Sequence, residues 1–362
     1  MVTAAVAVAP LRTEIREFPI PDVGPDDGLL EVEACGLCGT DWEFYTRRRG
    51  AHLGPIILGH EIVGRVRAVG REAAARWQIQ SDDLVAVEEF LPCGQCEFCL
   101  SGRPALCSDT DSRAERFLRY GATPIDVPPA LWGGFSEVLY LHPHALVHTV
   151  PPGVPAGLAT LFVPISNGIR WVLKEGRMPP GGTVVVIGPG AHGLGCVVAA
   201  VHGGAGRVIA VGRMQGARLE AAEALGAIGI AAQEVDVVAA IRDLTEGAMA
   251  DVIIDLAPGT PDTITTAVQL ARKGGTIILT AAKHGKAVDL QGDLIVRNEL
   301  TVKGVRGRDY ASVEEALEII QSDRYPLQRL RTHDFPLDRA DEALRVQGER
   351  TDPSAIHVTV VP

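Results

Sequence analysis

Residues 184–187 form an apolar run that leads directly into Gly188-Pro189-Gly190-Ala191-His192-Gly193-Leu194-Gly195 and then into a helix-forming stretch, 196–202. A G-x-G-x-x-G pattern alone is weak evidence. Between a buried strand and a helix it is strong, because the glycines allow the tight turn and leave room for a pyrophosphate at the helix N-terminus. The flanking sequence has the same texture. Apolar strands at 183–187, 207–211, 251–256 and 276–280 alternate with helical stretches at 193–202 and 217–225. Strand–helix alternation of this kind predicts an α/β fold with a doubly wound parallel sheet. His192 lies where it can edge the phosphates, and Cys196 reads as helix packing.

A dinucleotide site that prefers NAD wants an acid at the end of the second strand, about 20 residues on, to bind the ribose 2′-hydroxyl. Here the strand ends in Gly212-Arg213, with Arg218 close behind. An Arg there can pair with a 2′-phosphate or stack on the adenine. The absence of an acid favours NADP over NAD. Gly188, Gly190, Gly193, Leu194, Gly212, Arg213 and Arg218 are therefore the candidate cofactor contacts.

The first 150 residues read differently. Short apolar runs at 29–34, 61–69, 83–90 and 135–141 are punctuated by Gly and Pro, the pattern of an irregular all-β domain with long loops. A chain of 362 residues exceeds one ordinary core, so two domains are expected. The segment after about 290, with a helix at 311–321 and a last strand at 355–361, is too short to stand alone. The expected division is 1–152 with 291–362 for the first domain and 153–290 for the second.

Four of the seven cysteines, Cys93, Cys96, Cys99 and Cys107, fall in one loop, 93–107. Tetrahedral zinc needs four ligands at about 2.3 Å, and such a loop can wrap one ion. The spacing predicts a closed, structural zinc site that orders the loop and performs no chemistry; the competing reading is a zinc-ribbon nucleic-acid module, which the net negative charge and the lack of a basic face weaken. A second constellation is dispersed: Cys38 in Gly36-Leu37-Cys38-Gly39-Thr40-Asp41, and His60 in Gly59-His60-Glu61-Ile62-Val63-Gly64. One thiolate and one imidazole suit zinc, and Glu61 adds either an oxygen ligand or a carboxylate behind the other two. Three protein ligands leave a position open, which is the mark of a catalytic site.

Together these motifs, with Gly133-Gly134-Phe135-Ser136 and the glycine turn, resemble the zinc-containing medium-chain dehydrogenase superfamily across essentially the whole chain. Alcohol, sorbitol and threonine dehydrogenases belong to it. The resemblance implies a GroES-like irregular β-barrel catalytic domain joined to a Rossmann domain, and a hydride moved between an alcohol and NAD(P). It implies two zinc ions, the catalytic one on Cys38, His60 and Glu61, with Thr40 taking the alcohol proton. It also implies a homodimer or homotetramer. Two positions depart from the pattern. Val163 stands where a further Cys or Glu ligand is usual, so the ion would be held by Cys38, His60, Glu61 and water. Glu43 replaces a frequent His, and either relays the proton onward or faces solvent.

The net charge of −11 and the absence of a basic block argue against nucleic acid or anionic membrane. Arg47-Arg48-Arg49 reads as a solvated loop. Residues 2–9 are apolar without a basic leader and read as a first strand, which with reduced, metal-binding cysteines points to the cytoplasm. The expected partner is a small alcohol or ketone. Trp42, Phe44, Trp132 and Val163 are candidate pocket walls. The rival readings are a zinc-independent enone or quinone reductase of the same fold, and a catalytically silent zinc- and nucleotide-binding protein.

Overall fold

A computed structural model describes residues 1–50, 53–111, 114 and 117–362. They form two compact units, Met1–Val163 with Asp309–Pro362, and Pro164–Arg308. The first unit begins with β1 (Val2–Ala9), β2 (Arg12–Phe18), β3 (Gly28–Gly36), β4 (Ile56–Ile57), β5 (Glu61–Val69), β6 (Leu84–Val87), β7 (Val138–Leu141) and β8 (Val147–Thr149). Strands β2, β1 and β4 make a small antiparallel sheet. Val2, Ala4, Val6 and the Ile56-Ile57 pair enter the core, which explains why so apolar a leading segment is a strand.

The second unit carries β9 (Thr183–Ile187), β10 (Arg207–Gly212), β11 (Ile228–Ala231), β12 (Ala250–Asp255), β13 (Ala271–Leu279) and β14 (Thr301–Gly304). They pair in parallel in the order β11-β10-β9-β12-β13-β14. Numbered within the unit, that is 3-2-1-4-5-6, the order of a dinucleotide-binding doubly wound sheet whose switch point lies beside β9. Val184, Val185 and Val186 are fully buried, as a strand covered on both faces requires.

The chain then re-enters the first unit with β15 (Arg331–Pro336) and β16 (His357–Val361), giving a sheet ordered β15-β16-β3-β5-β6-β8, with β7 paired to β3. Both unit boundaries fall later than the sequence suggests. Residues 291–308 stay with the parallel sheet because β14 bonds to β13 as its sixth strand. At the other crossing, residues 153–163 stay with the first unit, where the helix Ala156–Ala159 packs on β3 and β5. The stretch Ala156–Glu175 has the length and hydropathy of a membrane span, yet most of it is buried within the protein, as in a core helix.

The returning helix Tyr310–Gln321 is clamped to the barrel through a buried histidine. His148 on β8 bonds Glu88 through Nε2 at 3.1 Å and Glu314 through Nδ1, and Tyr310 stacks on its ring at 4.0 Å. Burial opposes charge on His148, but the Glu314 and Glu88 carboxylates outweigh it and raise its pKa above the ordinary imidazole value. With the folded pKa the higher, the clamp's stabilisation is complete below the unfolded value of about 6.5 and is lost as pH rises through the folded one. The difference in thermal midpoint between the natural protein and His148→Gln should therefore be largest at acid pH and shrink on the alkaline side. A difference that stays constant with pH would show that the charged clamp contributes nothing.

Candidate active site and metal centres

The site in the first unit is organised by Asp41. It is the third residue of the short helix Gly39–Tyr45 and is fully buried. Its Oδ2 accepts the Cys38 backbone N–H at 2.9 Å, which caps the helix and fixes the loop that presents the thiol. Its Oδ1 accepts from the Gly59 N–H and from His60 Nδ1, each at 3.1 Å. One carboxylate thus ties together two segments far apart in sequence. With Nδ1 donating to Asp41, His60 has Nε2 left as a metal-binding lone pair, the carboxylate–histidine–metal arrangement. Burial opposes charge on His60, yet Asp41 and the Cys38 thiol raise its pKa well above the usual imidazole range. Asp41 lies inside the Gly-Leu-Cys-Gly-Thr-Asp motif. Its signal in the sequence is its place at the third helical position after a cap.

Glu61 opens β5 and is buried. One of its carboxylate oxygens lies within 4.8 Å of Cys38 Sγ, close enough for both to bind a single ion. Its Oε2 accepts from Nε2 of His357 at 2.8 Å. The sequence gives no hint of this histidine, which is 296 residues away. Thr40 sits half-buried on the same helix turn as Asp41, its Oγ1 3.7 Å from Cys38 Sγ. Glu43 is half-buried one turn further on. Val163 is buried and offers no donor atom.

The four-cysteine loop folds as its spacing suggests. All four Sγ atoms lie within 4.8 Å of one another, with Cys93–Cys99 at 3.9 Å and Cys96–Cys99 at 3.4 Å. A tetrahedron with bonds of about 2.3 Å places sulfurs roughly 3.8 Å apart. None of the four forms a disulfide. Backbone N–H groups of Gln95 and Cys96 bring Cys93 down to about 7, whereas burial, with help from its neighbours, pushes Cys99 up to about 12. Four thiols converging this closely need a cation if all are to ionise, because like charges at such distances repel. The donor set therefore fits zinc.

In the second unit the glycine turn joins β9 to the helix Ala191–His202. Gly188 has φ +98, a conformation that favours glycine. A Cβ at Gly193 would run into the Gly188 carbonyl oxygen, so that glycine lets the helix close onto the strand. A Cβ at Gly190 would meet nothing within 4 Å, which leaves open space before the helix N-terminus. Leu194 departs from expectation. Its side chain is buried and its N–H bonds to Gly190 O at 2.8 Å, so it packs the turn and offers the cofactor no donor. Cys196 is buried helix packing. His192 Nδ1 is 3.2 Å from the amide nitrogen of Asn167. Arg213 is exposed just past β10, and Arg218 is half-buried at the start of the helix Ala217–Ala224. Gly212 lets the strand end pack on Leu219.

The proposed pocket walls do not gather. Trp42 packs on Gly348, Phe44 lies in the core under Arg49, and Trp132 is buried among Tyr120 and Tyr140 with its N–H bonded to Val127 O. Nor is Arg47 solvated. Its guanidinium donates to the carbonyls of Ala7, Leu53 and Gly54, pinning the loop to β1.

A parallel sheet of this order, a glycine turn facing open space and a four-thiol donor cluster are the frame of a protein that binds a dinucleotide and a metal ion. Residues 24–152 match the alcohol dehydrogenase GroES-like domain family, and residues 191–322 the zinc-binding dehydrogenase family. A Mycobacterium tuberculosis protein named as a probable alcohol dehydrogenase is 37% identical over 100% of this chain and 99% of its own. Sorbitol dehydrogenase of Bacillus subtilis is 31% identical over 94% of this chain and 92% of its own. A zinc-binding dehydrogenase of Sinorhizobium meliloti, solved bound to NADP, superposes with a TM-score of 0.86 at 26% identity, covering 100% of this chain and 99% of that one. The chain belongs to the zinc-containing medium-chain dehydrogenase superfamily and is an oxidoreductase of the alcohol dehydrogenase type.

Proposed function

We propose that the chain works with two zinc ions, a structural one on Cys93, Cys96, Cys99 and Cys107 and a catalytic one on Cys38, His60 and Glu61, and that it prefers NADP(H). The observation that carries the catalytic assignment is the Asp41 hub, which holds the Cys38 loop and the His60 ring at once. Zinc bound there supplies Lewis-acid polarisation of the substrate oxygen. Thr40 takes the proton leaving the alcohol hydroxyl, and Glu43, one turn along the helix, is the next station outward. The dinucleotide held at Gly188, Gly190 and Gly193 supplies the hydride acceptor. Sorbitol dehydrogenase among the relatives points to small alcohols and polyols as substrates. Phe44 and Trp132 lie in the core, so they do not line an apolar pocket. The test is zinc content per chain together with NAD(P)H turnover over an alcohol and polyol panel. A chain that turns over without zinc beyond the four-thiol ion would overturn the assignment.

NADP preference rests on Arg213, just past the end of β10 where the sequence carries no acid, and on Arg218 at the start of the following helix. A 2′-phosphate there would gain charge-assisted hydrogen bonds worth roughly 1.5–3 kcal/mol, about ten- to a hundredfold in preference. Arg213→Asp should reverse the ratio of kcat/KM for NADP⁺ and NAD⁺, because it removes attraction and adds repulsion. A natural protein that already prefers NAD⁺ would make Arg213 a stacking or solvent residue.

A further inference from the structure

We propose that His357 is the positioning residue for Glu61, fixing which carboxylate oxygen is left for the metal and so setting how tightly the ion on Cys38 and His60 is held; the inference rests on the catalytic-zinc reading above. The sheet is built around this pair. Glu61 on β5 is in register with Gly36 on β3, and Gly36 is in register with Thr359 of β16 on its other side. A Cβ at Gly36 would collide with Glu61 Oε2 and would lie 2.6 Å from His357 Nε2. The absent side chain makes the room in which carboxylate and imidazole meet.

Both partners are buried, Glu61 to 1% and His357 to 0% exposure. A carboxylate so placed needs a donor, and His357 Nε2 supplies one at 2.8 Å. The other ring nitrogen, Nδ1, is buried without a hydrogen-bond partner among the described residues. A hydrogen on Nδ1 would be an orphaned donor, so the tautomer with hydrogen on Nε2 satisfies the site best. The histidine is thus spent on a single bond, the one to Glu61. Oε2 is held on the β16 side, and the carboxylate reaches to within 4.8 Å of Cys38 Sγ. Partners behind a metal ligand fix its orientation and basicity, and losing one typically costs about 10–100-fold in metal affinity.

The experiment is chelator competition on the full chain, reading the zinc affinity of the more labile site, with the electronic spectrum of its cobalt(II) form as a second readout. His357→Leu should weaken that site about 10–100-fold and change the cobalt spectrum, while the four-thiol ion stays bound. His357→Gln keeps an N–H donor of similar reach and should restore affinity. His357→Asn keeps the amide but shortens the reach and should behave like Leu, so the Gln–Asn contrast decides the matter even if the Leu variant does not fold. On a Glu61→Gln background the His357 variants should have little further effect. Zinc affinity that is equal in the natural, Leu and Asn forms, or equally weak in Gln and Asn, would overturn the positioning role alone. A natural protein holding no zinc beyond the four-thiol ion would overturn the metal reading itself.

Discussion

Cys38→Ser or His60→Ala should abolish alcohol oxidation while leaving dinucleotide affinity close to that of the natural protein. The two functions stand on different units: Cys38 and His60 in Met1–Val163, the glycine turn in Pro164–Arg308. The loss should be near complete, because each substitution removes one of the three proposed donors, and the apolar Val163 cannot replace any of them. His60→Ala also strips Asp41 of its buried partner while leaving it the Gly59 and Cys38 N–H groups, so the loop keeps most of its anchoring. Dinucleotide fluorescence titration and single-turnover assays separate the two functions. Chelation gives an independent arm. Four thiolates hold zinc more firmly than the mixed site, so mild chelator should remove activity before the four-cysteine loop or the fold is lost. Simultaneous release of both ions, or full activity in either variant, would sink the assignment.

Much of this was legible because it is local. The strand–glycine–helix order located β9, its turn and the end of the helix Ala191–His202, since periodicity and turn chemistry act over short spans, although the helix starts inside the glycine turn, earlier than 193 or 196. The four-cysteine spacing sufficed for the same reason. What the sequence concealed depends on pairing across the chain. Strand β14 reads Thr-Val-Lys-Gly and is exposed except at Val302, so it carries no apolar run to announce that it edges the parallel sheet. His357 and Glu61 meet only because β16 and β5 flank β3. His148, Glu88 and Glu314 come together through β6, β8 and the returning helix, a convergence that no spacing rule encodes. The aromatic residues misled in the opposite way. Trp132 looked like a pocket wall because composition says nothing of whether a large ring faces ligand or core, and here the Val127 carbonyl satisfies its indole.

Thr40→Ala should lower kcat/KM for alcohol oxidation by about 10²–10⁴, the usual contribution of a positioned proton-transfer group, with Thr40→Ser retaining most of the activity. That range corresponds to roughly 2.7–5.5 kcal/mol of barrier. Thr40 lies on the helix turn that Asp41 caps, and its Oγ1 is 3.7 Å from Cys38 Sγ, so the hydroxyl borders the donor set without belonging to it. The substitution removes an oxygen and a methyl from a half-buried position and leaves the Cys38 N–H and His60 bonds to Asp41 in place. Zinc content and dinucleotide affinity should accordingly stay unchanged while turnover falls, which sets Thr40→Ala apart from Cys38→Ser. Glu43→Gln should cost less, because a station further from the substrate can be bypassed by water. If Thr40→Ala turns over at the natural rate with its zinc intact, the proton leaves by another route and Thr40 is a helix residue only. If it loses zinc as well, the hydroxyl supports the Cys38 loop, and the drop in rate says nothing about proton transfer.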